Sequence, residues 1–181
     1  MTKRLLSGLK VAMIVTSGFE QVEMTEPRRA LLEAGAQVDV IAPQHEIKGY
    51  NHDTPADSFK ADVLLDEAFA KDYDALVLPG GVANPDRLRL QPKAIEFIKQ
   101  IFQADKPIAA ICHGPWTLIN AGAITGRTVT SWPSLQVDLI NAGAKWVDKE
   151  VVTDGKLVTS RKPDDIPAFN KAMIELFAAH L

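Results

Sequence analysis

The sequence predicts an α/β fold in which helices cover both faces of a mostly parallel sheet, and three observations carry that expectation. Short apolar runs rich in Val, Ile and Leu recur without polar alternation, as strands buried on both faces do. Helical periodicities separate them, giving a βαβα order. Late in the chain a hairpin signal adds an antiparallel pair to the otherwise parallel pattern.

Leu9 to Thr16 is the opening strand. Pro27 to Ala34 reads as a helix that stops at Gly35, a natural C-cap, before the second strand, Ala36 to Ala42. Residues 43–60 carry mixed loop chemistry and assign no element. Asp74 to Leu78 is the third strand, and Pro92 to Phe102 follows as a helix with Ile95, Ile98 and Phe102 on one side. Lys106 to Ile111 is the fourth, separated by a tight turn from an apolar helix, Trp116 to Ala121. Glu150 to Thr153 and Leu157 to Arg161, joined through Asp154-Gly155, form the antiparallel pair. The closing helix starts near Asp164 or Asp165, either able to cap it, and aligns Ile166, Phe169, Met173, Leu176 and Phe177. Neither an internal repeat nor a polar linker interrupts the 181 residues, so a single flavodoxin-like domain over 1–181 is expected. In such sheets ligands sit beyond the C-terminal ends of the strands.

Composition narrows the function. At 46% hydrophobic and 24% charged, the chain has the balance of a soluble globular protein. A net charge of -3 without a dense Lys/Arg run argues against nucleic acid or an anionic membrane as partner. Met1 to Leu9 lacks the apolar core of a signal peptide, and no stretch approaches the roughly 18 apolar residues of a membrane span, so a cytoplasmic location is expected. His45, His52 and His180 lack ligand spacing, so no metal is expected. With neither a dinucleotide glycine fingerprint nor a phosphate-binding lysine, no cofactor is expected either.

The only cysteine, Cys112, cannot form an internal disulfide. It stands between the strand Pro107 to Ile111 and the helix after Gly114-Pro115, a strand-turn-helix elbow. Two readings stay open at this stage. A free cysteine at a strand end is often a small buried hydrophobe. On an elbow it is also a nucleophile, with the helix N-terminus favouring thiolate. Pro79-Gly80-Gly81 follows the third strand and would present bare N–H groups at the same sheet edge, as an oxyanion hole requires.

The motifs Ala110-Ile111-Cys112-His113-Gly114-Pro115 and Leu78-Pro79-Gly80-Gly81 together resemble the PfpI family of the ThiJ/PfpI superfamily. The resemblance extends to Gly18-Phe19-Glu20-Gln21-Val22-Glu23, Asn141-Ala142-Gly143-Ala144 with Trp146-Val147-Asp148, and Thr159-Ser160-Arg161 before Pro163-Asp164-Asp165. It implies Cys112 as nucleophile, His113 as its imidazole partner, and an acid from a neighbouring subunit, here Asp86, to orient the histidine. Family members that look most like proteases carry glutamate at that position, so Asp86 has less reach. The resemblance also places Glu23, and not Glu20, from the loop after the first strand against the cysteine, and puts Trp132 in the pocket wall; by residue type alone Glu20 reads as a solvated carboxylate. Two negative charges about 4 Å apart at an effective dielectric constant near 20 repel by around 4 kcal/mol, so Glu23 and Cys112 are expected to share one proton, held by Glu23.

Glutamine amidotransferases share the elbow but need a late histidine followed by an acid, and the only late one is His180, beside the terminal Leu181. The resemblance therefore ranks a stress-related hydrolase of reactive aldehydes or aldehyde-glycated proteins first and an intracellular cysteine peptidase second. A non-enzymatic chaperone or redox sensor using Cys112 is the third reading. An incomplete Cys-His pair within one chain, together with the neighbouring subunit's acid that the resemblance implies, leads to the expectation of at least a homodimer.

Overall fold

The computed structural model describes residues 4–181, so the expectation for Met1 to Leu9 falls partly outside it. In chain order the elements are β1 (Lys10–Ile14), β2 (Phe19–Glu20), α1 (Gln21–Glu33), β3 (Gln37–Ala42), β4 (Glu46–Asn51), β5 (Thr54–Lys60) and β6 (Val63–Leu64). Then come β7 (Ala75–Leu78), α2 (Ala83–Leu88), α3 (Pro92–Gln103), β8 (Ile108–Ile111), α4 (Trp116–Asn120), β9 (Thr128–Val129) and α5 (Gln136–Asn141). The chain closes with β10 (Lys145–Trp146), β11 (Val151–Asp154), β12 (Leu157–Ser160) and α6 (Ile166–Ala178).

Strands β3, β1, β7, β8 and β12 lie side by side and parallel, which is the flavodoxin-type order 2-1-3-4-5 of a doubly wound sheet. One edge is extended by β6, and the other by β11, the antiparallel partner of β12. Successive residues of each strand enter opposite cores. Val11, Met13, Val77 and Ile111 pack beneath Met24 and Leu31 of α1 and Phe169, Met173 and Phe177 of α6. Ala12, Ile14, Leu76, Leu78 and Ala110 face Ile98 of α3, Leu118 of α4 and Leu139 of α5. Burial on both faces is why these strands read as unbroken apolar runs. Among the described residues no helix is long and apolar enough to cross a membrane.

Three local expectations are corrected. Helix α1 begins at Gln21, not Pro27, so Glu23 stands in its first turn and not in a loop. Pro27 lies inside the helix, where it has no N–H to offer the Glu23 carbonyl. Asp165 occupies the position before α6 but does not cap it, because its carboxylate accepts from the Arg161 backbone N–H at 3.0 Å and from its guanidinium at 2.9 and 3.1 Å. Residues 46–60 form a hairpin, β4 with β5, that pairs through β4 with β2 beside the C-terminal end of the sheet.

Candidate active site

Cys112 follows β8 directly, and its φ of 62° is one that L side chains rarely adopt. The turn is fixed on both sides: Cys112 N–H donates to the Ser160 carbonyl at 3.0 Å, and its carbonyl accepts from Trp132 N–H at 3.0 Å. Gly114 N–H closes back on Ile111 O at 2.9 Å. A side chain at Gly114 would run into the Leu78 carbonyl, so only glycine lets the chain leave the elbow past β7.

The second loop, after β7, comes against the first because it too lacks side chains. A Cβ on Gly80 would lie 2.5 Å from Glu23 Oε1 and 2.7 Å from Cys112 Cβ, in the space where carboxyl and thiol meet. Gly80 N–H donates to Glu23 Oε1 at 3.1 Å. Gly81 has φ 81°, and its N–H faces both the Cys112 sulfur and the Glu23 carboxyl. The N–H groups of Gly81 and His113 are the donors that stabilise negative charge on the sulfur.

Glu23 is fully buried, and its Oε2 has no hydrogen-bond partner. Burial first, then the charge of Glu20, push its carboxyl up to about 8. Cys112 departs from the thiolate expectation. Burial, followed by the Glu23 charge, pushes its thiol well above the ordinary range, and the two backbone donors only partly offset this. Helix α4 is five residues long and starts at Trp116, which leaves little dipole to act on the sulfur. At neutral pH both groups therefore keep a proton, in place of the single shared proton expected, and the thiol depends on a neighbouring group to lose its own.

His113 is buried, with Nδ1 3.3 Å from Cys112 Sγ and Nε2 3.5 Å from Ser134 Oγ. Burial pushes the imidazole down to about 4, so it is neutral at pH 7. Trp132 stacks on it at 6.1 Å between centroids, and Trp116 meets it edge-on at 5.6 Å. Asp86 does not meet His113 within the chain. It is exposed on α2, and its carboxylate forms none of the side-chain hydrogen bonds or ion pairs among the described residues.

These side chains line a cavity of about 900 Å³. Cys112, His113, Glu23, Gly81 and Trp132 face it, Gly80 lies beneath, and Asp86 is outside. Glu20 was misjudged as solvated: it is 7% exposed, lines the cavity, and accepts the His52 N–H at 3.0 and 3.2 Å. Tyr50, His52 and Asp53 from the β4–β5 hairpin, with Arg87, Trp116 and Ser134, are among the wall residues not foreseen. Among the described residues no three His, Cys, Asp or Glu side chains converge as a metal site requires.

The chain is 44% identical over 172 residues to general stress protein 18 of Bacillus subtilis, covering 93% of this chain and 98% of that one. It is 41% identical over 168 residues to a deglycase of Pyrococcus horikoshii, covering 93% and 99%. Among solved structures, a two-domain protein of Anabaena variabilis with DJ-1/ThiJ/PfpI-like and ferritin-like domains superposes with a TM-score of 0.87 at 34% identity. That match covers 92% of this chain and 47% of the two-domain protein. The family model described as DJ-1/PfpI matches residues 9–176, and with the elbow, the glycine pair and the buried glutamate in place, the chain belongs to the DJ-1/PfpI family.

Proposed function

We propose that the chain is a stress-related, cysteine-dependent hydrolase of reactive aldehydes or of the adducts they leave on proteins. One observation carries this: a fully buried carboxyl, protonated near neutrality and free at Oε2, beside the only thiol. Take methylglyoxal as substrate. The sulfur of Cys112 adds to the aldehyde carbon while its proton leaves to a neighbouring base, and the oxyanion takes a proton to give a hemithioacetal. Glu23 in its ionised form then removes the proton on that carbon and returns it to the adjacent one, converting the hemithioacetal into a thioester of lactate. Water cleaves the thioester, releasing lactate and the thiol. In an adduct on a protein amine, the sulfur displaces the amine at the carbinol carbon and the later steps are the same. Peptide hydrolysis requires no such proton transfer between carbons. The names of the relatives, a general stress protein and a deglycase, point the same way.

The test incubates the purified protein with methylglyoxal, with a glycated peptide and with an unfolded protein. Lactate from the first and free amine from the second are expected. Cleavage of the unfolded protein with neither aldehyde substrate consumed would instead establish the peptidase.

We also propose a homo-oligomer in which Asp86 of one copy approaches His113 of another. Val82 and Leu90, four residues either side of Asp86, are 60% and 81% exposed, apolar side chains that a second copy seated on this face would cover. Sedimentation velocity at micromolar concentration is expected to show a dimer or larger species. A monomer with undiminished activity would eliminate the role of Asp86 across the interface.

A further inference from the structure

The two peptide units around Gly80 decide whether this site has an oxyanion hole, and a residue outside the catalytic group controls both. Asn84, in the first turn of α2, is fully buried. Its Nδ2 donates to Pro79 O and to Gly80 O, each at 3.1 Å, and its Oδ1 accepts from Thr16 N–H at 2.8 Å. The orientation of the carboxamide is unambiguous, because the two carbonyls can only accept and the Thr16 amide can only donate.

In a planar trans peptide the C=O and the following N–H point in opposite directions. Holding the Pro79 carbonyl on Asn84 therefore turns Gly80 N–H away from it, onto Glu23 Oε1. Holding the Gly80 carbonyl turns Gly81 N–H onto the Cys112 sulfur and the Glu23 carboxyl. A second donor, Glu20 N–H, reaches Gly80 O at 3.3 Å, but the Pro79 carbonyl has only Asn84 among the side-chain donors described. A plane between two glycines is the easiest in a protein to turn over, since neither residue has a Cβ to disfavour the inverted dihedrals. A side chain at Gly80 would fill the space where carboxyl and thiol meet, and one at Gly81 would run into the Gly18 carbonyl and the Glu20 backbone nitrogen, so both must be glycine and the loop cannot secure its own orientation.

We propose that Asn84 is the positioning residue of the oxyanion site: its carboxamide fixes the two consecutive peptide planes whose N–H groups receive the Glu23 carboxyl, the sulfur and the developing oxyanion. Two successive N–H groups aimed into one concavity form an anion-binding nest, and Asn84 keeps this nest facing the elbow. The inference rests on the reading of Cys112 as the reacting group.

Two variants test it. Asn84→Asp keeps the volume and an acceptor for Thr16 N–H, but sets oxygen against the two carbonyls. Asn84→Leu removes the donors without adding charge. In both, Cys112 alkylation by iodoacetamide is expected to move to higher pH, because the thiolate loses the Gly81 N–H. On the aldehyde substrate kcat is expected to fall about 10²-fold with KM little changed, the pattern of a donor that acts on the transition state. The alkylation profile needs no substrate: a wild type that turns over no aldehyde would defeat the proposed function and leave this measurement intact. Profiles of both variants superimposing on the wild type would overturn the role of Asn84. If neither variant folds, ¹⁵N relaxation of the wild-type Gly80 and Gly81 amides decides. Order equal to that of β7 supports the clamp, and exchange between two orientations confined to these amides refutes it.

Discussion

Cys112→Ala is expected to reduce turnover on the order of 10⁶-fold, the loss seen when a nucleophile that acts through a covalent intermediate is removed. The size follows from what each step uses. Addition, proton transfer and thioester hydrolysis all occur on the sulfur, so the oxyanion donors and Glu23 have nothing to act on once it is gone. The fold should survive, because the elbow is held by backbone hydrogen bonds to Ser160 and from Trp132 that alanine keeps. The strain at φ 62° separates structure from chemistry here. Cys112→Ala retains that strain and Cys112→Gly releases it, so the glycine variant is expected to be more stable by about 1 kcal/mol while equally inactive. Paired turnover assays and thermal melts check both parts. Residual activity of Cys112→Ala within tenfold of wild type would mean that the sulfur is not the nucleophile.

What the sequence revealed of this site, and what it concealed, divides along physical lines. The central strands were legible because burial on both faces leaves an apolar run that turn residues delimit, as at Ile108 to Ile111. The elbow was legible because Gly114 and Pro115 are the residue types such a turn demands. Helix α1 was misplaced for a reason tied to function: its buried positions are Glu23, Met24, Pro27 and Leu31, so a carboxyl and a proline occupy half of the apolar stripe. The hairpin of β4 and β5 was missed because β5 is largely exposed and reads as loop. Its tip nevertheless brings His52 to Glu20 and closes the cavity, a contact between residues 32 apart that no local pattern encodes. Glu20 stands three residues before Glu23 and shares its helix entrance, and that spacing was the one available signal that both carboxyls turn the same way.

Glu23→Gln is expected to lower kcat by about 10²- to 10⁴-fold while Cys112 remains open to alkylation. Glutamine keeps the acceptor for Gly80 N–H and fills the same volume, so the pocket retains its shape. What it loses is the carboxylate that has to take a proton from one substrate carbon and return it to the next. The same substitution has a signature in stability. The Glu23 carboxyl titrates at about 8 in the folded chain against an ordinary value of 4.5, because burial disfavours its charged form. Between those values the unfolded chain binds fewer protons than the folded one, so wild-type stability falls as pH rises through this window. At about 1.4 kcal/mol per pH unit, the loss between pH 5 and pH 8 approaches about 4 kcal/mol. Glutamine carries no such penalty, so Glu23→Gln is expected to melt close to wild type near pH 4 and clearly above it at pH 8. A variant that is less active and yet more stable under alkaline conditions is the mark of a carboxyl buried for chemistry and not for folding. Thermal melts across pH, run beside iodoacetamide titrations and turnover assays, measure all three quantities. Full turnover in Glu23→Gln would remove the carboxyl from the mechanism, and parallel stability curves would show that it is ionised in the folded protein.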